Sequence, residues 1–220
     1  MGDTGETRQA AWKQRAVERA LRGAAQRAGR RVEQFLDAAQ AIITEKGSTD
    51  FTVQEIVDRS GQSLRSFYLQ FDGKHQLLLA LYEEAVGKTA AQIRAAATVR
   101  EDPVDALRTA VELLFHLCRP DPDAHRPLFT EFSPRLRTCD PAEVRAAHAA
   151  LFALFAELME RVGAAGRLRP GANPRRLAAT TMQAVMFIAH PGTVEADPHP
   201  ISAAEAWAFC AHGIVGAGEY

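Results

Sequence analysis

Residues 60–71, SGQSLRSFYLQF, carry two kinds of side chain in one short segment. Phe67 and Phe71 stand four apart, the spacing that puts both on one face of a helix. Around them Gln62, Ser63, Arg65, Ser66, Tyr68 and Gln70 offer donors and acceptors for directed hydrogen bonds. That is the chemistry of recognition: two apolar anchors and a polar face left to read something. Bond-breaking chemistry has no comparable signature. Ser66, His75, His116 and His148 fit no nucleophile elbow, and no phosphate loop is present. The seven histidines include no HExxH pair. Cys118, Cys139 and Cys210 lie far apart without a CxxC, so they read as reduced thiols rather than metal ligands or a disulfide frame. No catalytic activity, metal or cofactor is expected.

Helical patterns surround the segment, and no β-branched run alternates with period two. Trp12, Ala16, Val17, Ala20 and Leu21 form a stripe over residues 9–22 that Gly23 is expected to interrupt. A second helix carries Val32, Phe35, Leu36, Ala39, Ile42 and Ile43 and stops at Gly47. Thr52 and Glu55 then form a capping box, with Phe51 and Ile56 at the staple positions. This short helix ends by Gly61. Ser63 is the N-cap of the next, which turns Phe67 and Phe71 inward. After the turn FDGK, Lys74 opens a longer helix with Leu77, Leu78, Leu81, Tyr82, Ala85 and Val86 on one side. Two short helices joined by a tight, Gly-containing turn have the shape of a helix-turn-helix. Such a unit lays its second helix in the DNA major groove.

Farther along, Asp102-Pro103, Asp140-Pro141, Asn173-Pro174 and Ser202 with Glu205 punctuate four more helix starts. The helix from Asp140 is expected to run unbroken through Val144, Ala147, Leu151, Leu154, Phe155, Leu158 and Val162. A short broken helix is predicted around 128–136, limited by Pro127 and Pro134, and HPGTVEADPHP at 190–200 reads as a surface loop. The composition, 47% hydrophobic and 24% charged, is that of a folded soluble chain. The first thirty residues lack the apolar segment of a secretory signal, and the longest apolar runs fall short of a membrane span. A cytoplasmic protein without membrane association is expected. The net charge of −1 is unevenly spread. Residues 1–31 hold eight basic and three acidic residues, a net +5, whereas the remainder holds 18 basic and 24 acidic, a net −6.

Residues 32–81 resemble the TetR family of transcriptional regulators. The family pattern has an apolar helix ending in Gly, a Thr-Val opening, an apolar pair, a Gly turn, an aromatic-Tyr-x-x-Phe run, and a Lys before Leu. Here those are Gly47, Thr52-Val53, Ile56-Val57, Gly61, Phe67-Tyr68, Phe71, Lys74 and Leu77. The resemblance implies an all-α chain in three parts: a basic extension at 1–29, an N-terminal three-helix helix-turn-helix DNA-binding domain at 30–76, and a larger helical ligand-binding and dimerisation domain at 77–220. It implies a homodimer on a near-palindromic double-stranded DNA operator, by family default a repressor, released by a small hydrophobic effector. Thr52, Ser63, Tyr68 and Lys74 would contact phosphates. Gln54, Leu64, Arg65 and Ser66 would face base edges, with Arg65 able to bind guanine bidentately and Leu64 to touch a thymine methyl. Leu69 and Gln70 would lie near the groove edge. The last two helices, 174–189 and 202–217, would build the dimer bundle.

Several readings stay open at this level. Leu114, Leu117, Phe129, Phe132, Phe152, Phe155, Met182 and Met186 are either plain core or the wall of a pocket for a fatty acyl, sterol-like or drug-like molecule. His116, His148 and Arg126 are candidates for the polar end of such a ligand. Gln62 stands where the family pattern has a small apolar residue, so it is expected to weaken packing against Phe67 and loosen the recognition helix. Residues 32–76 carry four basic and seven acidic residues, a net −3, which leaves little counterion release to drive DNA binding locally. Residues 8–31 are either an arm that supplies this charge along the backbone or in the minor groove, or a solvated tail or a helix docked by Trp12. A helical adaptor for a protein partner, or an activator of the same family, are the alternative functions.

Overall fold

The computed structural model describes residues 4–119, 126–136, 141–189 and 201–216, with side chains from Trp12 onward. The described residues are helical, with no strand and one isolated bridge between Leu168 and Val215. The chain divides into two compact units, Met1–Leu77 and Leu78–Tyr220.

The first unit opens with α1, Thr4–Lys46, a single helix of 43 residues. The expectation of two helices separated at Gly23 is thereby corrected. A glycine in a helix interior costs only about 1 kcal/mol, and the Ala, Arg and Gln residues around Gly23 and Gly29 are strong helix formers. Gly47, at φ 62, ends the helix in the left-handed conformation. The α2 helix, Val53–Ser60, starts on a complete capping box: the Thr52 side chain accepts from the Glu55 N–H while the Glu55 carboxylate accepts from the Thr52 N–H. Gly61, at φ 65, closes it. The α3 helix, Leu64–Tyr68, follows, with Ser63 Oγ accepting from the Ser66 N–H at 3.1 Å. The α4 helix, Lys74–Thr98, begins in the first unit and continues into the second.

Aromatic rings build the core of the first unit. The fully buried Phe67 ring meets Phe35 of α1 edge-on at 5.4 Å and lies 5.5 Å from Phe71. Ala39, Ile43, Ile56 and Leu77 are buried with them.

In the second unit α5, Pro103–Cys118, starts where Asp102 accepts from the Val104 and Asp105 N–H groups with Pro103 in the first turn. A π-helical turn, Leu128–Phe132, leads directly into the short α6, Ser133–Leu136. The expected broken helix is therefore present, in a wider winding than sequence can specify. The single helix expected from Asp140 is two helices, α7 Pro141–Ala147 and α8 Ala149–Ala164; Asp140 itself lies outside the described residues. The break falls at His148, whose φ −102 and ψ 6 leave the helical region and whose ring occupies the Val144 carbonyl. The α9 helix, Pro174–Ile188, and α10, Ala203–Ile214, begin on Asn173 and on a Ser202–Glu205 capping box, as expected. α8 packs against α5 and α9, and α10 against α5 and α9. Their apolar faces supply the core through Leu107, Phe115, Phe155, Met159, Val185 and Ile214. No helix among the described residues is long and apolar enough to cross a membrane. The loop expected at 190–200 lies outside the described residues.

Truncating the central ring tests the role of Phe67 in the first unit. Phe67→Ala is expected to lower its stability by about 3–5 kcal/mol, read by chemical denaturation of the full chain.

Candidate functional site

The residues predicted to meet DNA lie on α2 and α3, at their N-caps Thr52 and Ser63, in the turn at Leu69 and Gln70, and at the start of α4, and their side chains differ in how free they are. Arg65 is exposed and has no ion pair or side-chain hydrogen bond among the described residues. It stands in the first turn of α3 between exposed Leu64 and the buried anchor Phe67. Ser63 and Tyr68 are exposed, Leu69 is exposed beyond them, and Gln70 is half-buried. Lys74 lies over the Phe51 ring at 4.6 Å and 3.9 Å from the Asp50 carboxylate. Gln54 donates to Asp58 at 2.6 Å, so a base contact requires that bond to open. The Thr52 hydroxyl donates to Glu55 within the capping box, and a phosphate contact would have to redirect that proton. Ser66 is a correction: its Oγ is buried without a hydrogen-bond partner among the described residues, so it does not face a base edge.

The expectation for Gln62 is also overturned. Its amide donates to Gln34 Oε1 of α1 at 3.0 Å, and Phe67 remains fully buried. The polar substitution is absorbed by a partner 28 residues upstream, and the reading helix stays anchored. Sequence reasoning missed Gln34, because nothing in its local pattern distinguishes it from any other exposed helix residue.

Two other cations of this unit are held internally. Lys46 pairs with Glu55 at 2.5 Å, and Arg59 makes a two-pronged pair with Glu45. Hydrogen bonding from Lys46 first, and from Thr52 second, pushes the Glu55 carboxyl down to about 2, so this arrangement stays ionised through ordinary pH.

The eight residues predicted to line an effector site do not form one wall. Leu114, Phe132, Phe155 and Met182 are closed in core, whereas Leu117, Phe129, Phe152 and Met186 are half-buried. Phe152 lies beneath the Arg175 guanidinium, 5.4 Å away. A groove of about 260 Å³ runs between α5 and α10, lined by Arg108, Trp207, Ala211 and His212 among others, and none of the eight reaches it. Phe129 and Phe132 instead gather round the Tyr82 ring, at 5.4 and 5.9 Å. Tyr82 Oη lies 3.1 Å from Ser133 Oγ and 3.1 Å from His148 Nε2. Of the three polar-end candidates only His148 is buried; His116 and Arg126 are exposed, with Arg126 donating to the Leu117 carbonyl. Tyr82 and Ser133 were not predicted, since their meeting spans 51 residues of sequence. Burial pushes the Cys118 thiol up to about 12 and that of Cys210 up to about 11, so neither is a reactive thiolate; Cys139 lies outside the described residues.

Since the Val144 carbonyl can only accept, His148 Nδ1 carries the proton and Nε2 accepts from Tyr82. Burial depresses the imidazole pKa below its ordinary 6.5, outweighing the Val144 hydrogen bond that raises it. The neutral ring's stabilisation is complete above pH 6.5 and declines as pH falls towards the depressed folded value, because the unfolded chain takes up the proton first. Melting of the second unit is therefore expected to shift to lower temperature on acidification from about pH 7.5 to about pH 5.5, with a flatter dependence in His148→Gln.

Comparison with known proteins places these features in context. The model of bacterial regulatory proteins of the tetR family matches residues 35–81. An uncharacterised HTH-type transcriptional regulator of Bacillus subtilis, YvdT, is 36% identical over 62 residues, which cover 28% of this chain and 32% of that protein. The match thus spans about a third of that relative's length. Among solved structures, Thermus thermophilus FadR, a TetR-family repressor in complex with lauroyl-CoA, superposes with a TM-score of 0.66 at 20% identity, covering 86% of this chain and 97% of that one. SmeT, the repressor of the Stenotrophomonas maltophilia multidrug efflux pump SmeDEF, does so with a TM-score of 0.58 at 24% identity, covering 85% and 91%. These likenesses give the fold over the 85–86% of the chain that they cover. The matched residues carry the capping box, the Gly61 turn and the Phe67–Phe71 anchor, so residues 35–81 are a segment of the tetR type of bacterial regulatory proteins, and the chain shares the fold of TetR-family structures.

Proposed function

We propose that this regulator is a repressor that binds a palindromic operator as a homodimer, through a helix-turn-helix domain at 30–76, and leaves it when a hydrophobic effector enters the domain at 77–220. The observation that carries the reading is Arg65, an exposed arginine without a partner among the described residues on the first turn of α3, in a unit where Lys46 and Arg59 are ion-paired. A planar guanidinium so presented matches guanine O6 and N7. Ser63, Tyr68 and Lys74 flank it as phosphate contacts, and Leu64 offers an apolar contact to a thymine methyl. Both FadR of Thermus thermophilus and SmeT are repressors, which supports the direction of control.

The homodimer reading rests on α9 and α10, where Phe187 and Phe209 are 57% and 70% exposed. Large apolar side chains left in water on two adjacent helices are the mark of a surface meant to be covered. For the effector, the polar end is assigned to the Tyr82–His148 pair in its cage of Phe129 and Phe132. Buried polar groups in an apolar setting orient a greasy ligand that carries one hydrogen-bonding group. The lauroyl-CoA bound by Thermus thermophilus FadR supports an acyl-type ligand. Tyr82 belongs to the helix that Lys74 opens, so a ligand that displaces the phenol acts on an element of the DNA-binding domain.

Selection of bound fragments from sheared genomic DNA should enrich a palindrome of two half-sites. Arg65→Ala should relax one base position in each half-site by about 1–3 kcal/mol; no enrichment would overturn the reading and favour a protein-binding adaptor. Phe187→Glu with Phe209→Glu should give a monomer by sedimentation, with operator affinity falling at least about tenfold. Fatty acyl and drug-like hydrophobes that all fail to release the operator would exclude the effector assignment.

A further inference from the structure

The basic segment of α1 is absorbed by none of the roles above. Residues 12–31 carry Lys13, Arg15, Arg19, Arg22, Arg27, Arg30 and Arg31 against one acid, Glu18. All seven cations are exposed. Arg22 reaches the Glu18 carboxylate only at 4.0 Å and donates from Nε to the Glu18 carbonyl at 3.4 Å, and Arg27, Arg30 and Arg31 have no partner among the described residues. The segment is not docked either: Trp12, Val17 and Leu21 are 52%, 57% and 64% exposed. The reading in which Trp12 pins this helix to the body is thereby corrected.

Its direction is set by one hydrogen bond. Residues 27, 30, 31 and 34 recur at helical spacing and share a face of α1. Gln34 on that face bonds Gln62, the residue immediately before the N-cap of α3. The arginine face therefore leaves the body beside the end of α3 from which base edges are read. From Gln34 back to Trp12 the helix extends roughly 33 Å.

We infer that this helix is a second, sequence-independent DNA contact, in which Arg27, Arg30 and Arg31 bind backbone phosphates flanking the half-site read by α3. The inference rests on the DNA-binding reading above. Charge complementarity identifies the occupant. Residues 32–76 are net −3 and repel phosphates, while the extension holds a net +6 over residues 12–31. Guanidinium forks match phosphate oxygens bidentately. A lipid surface fits less well, because between Trp12, Val17 and Leu21 the apolar side chains are alanines, too small to anchor in a bilayer interface.

The test compares the full chain with Arg27→Gln, Arg30→Gln and Arg31→Gln combined, and with the same three positions changed to Lys. Binding is titrated with salt on the selected operator and on a random duplex. Each phosphate contact contributes about 0.9 to the slope of log affinity against log salt, so the Gln triple should flatten it by about 2.7 per bound protomer. Between about 50 and about 200 mM salt, wild type should then lose about 40-fold more affinity than the variant. Base preference should not change, and the Lys triple should recover most of the slope. An unchanged slope on both DNAs, while Arg65→Ala still relaxes base preference, overturns the inference and leaves the DNA-binding reading standing. Wild type that binds neither DNA overturns both. Binding to anionic vesicles that only the Gln triple loses, with the DNA slope unaltered, replaces phosphate contact by a membrane role.

Discussion

A helix of five residues does not persist in water by itself; nucleation costs more than so few hydrogen bonds return. The α3 helix exists because Phe67 is driven between Phe35 and Phe71, with edge-on and tilted ring contacts at 5.4 and 5.5 Å. Everything that makes the first unit a reader depends on that anchor. Ser63 satisfies one of the helix's orphan donors, the Ser66 N–H, Gly61 supplies the left-handed turn that brings α3 round from α2, and Leu64, Arg65 and Tyr68 are left exposed. Ser66 shows how strict the arrangement is, since one residue after Arg65 the hydroxyl is enclosed.

Around this anchor the electrostatics are divided. The body of the first unit is acidic, and two of its cations are tied to Glu45 and Glu55. Exposed pairs of this kind add little stability, but they remove positive charge from the surface. Arg65 and the basic side chains of α1 from Lys13 to Arg31 are left exposed. The two regions thus differ in what they contribute. The body holds α3 in place, while most of the unpaired positive charge lies on the long α1 helix.

The second unit repeats the theme of a polar group fixed in apolar surroundings. His148 takes the Val144 carbonyl with one nitrogen and the Tyr82 phenol with the other, breaking α7 from α8 as it does so. Together with the π-helical turn at Leu128–Phe132, this is the least regular part of an otherwise well-capped bundle. Such departures from regular winding recur at functional sites, and here both converge on one aromatic cage.

Much of this was legible in the residues themselves. Capping boxes at Thr52 and Ser202, the Pro-initiated helices at 103 and 174, and the glycine stops at 47 and 61 are local signals, decided within one turn of backbone, and they hold in the structure. The apolar spacing of Phe67 and Phe71 likewise marks a buried face wherever it is placed. Tertiary contacts decided the rest. That Gln62 would meet Gln34, that Ser66 would be enclosed, and that Tyr82, Ser133 and His148 would converge depends on side chains 28 to 66 residues apart, and spacing along the chain holds no information about such pairs. Gly23 marks the same boundary from the other side: its local preference was to interrupt, but the penalty is small and the strong helix formers on both sides outweighed it. Sequence alone determined where helices begin and which face of each is apolar; only the folded chain decided which polar groups were left free to act.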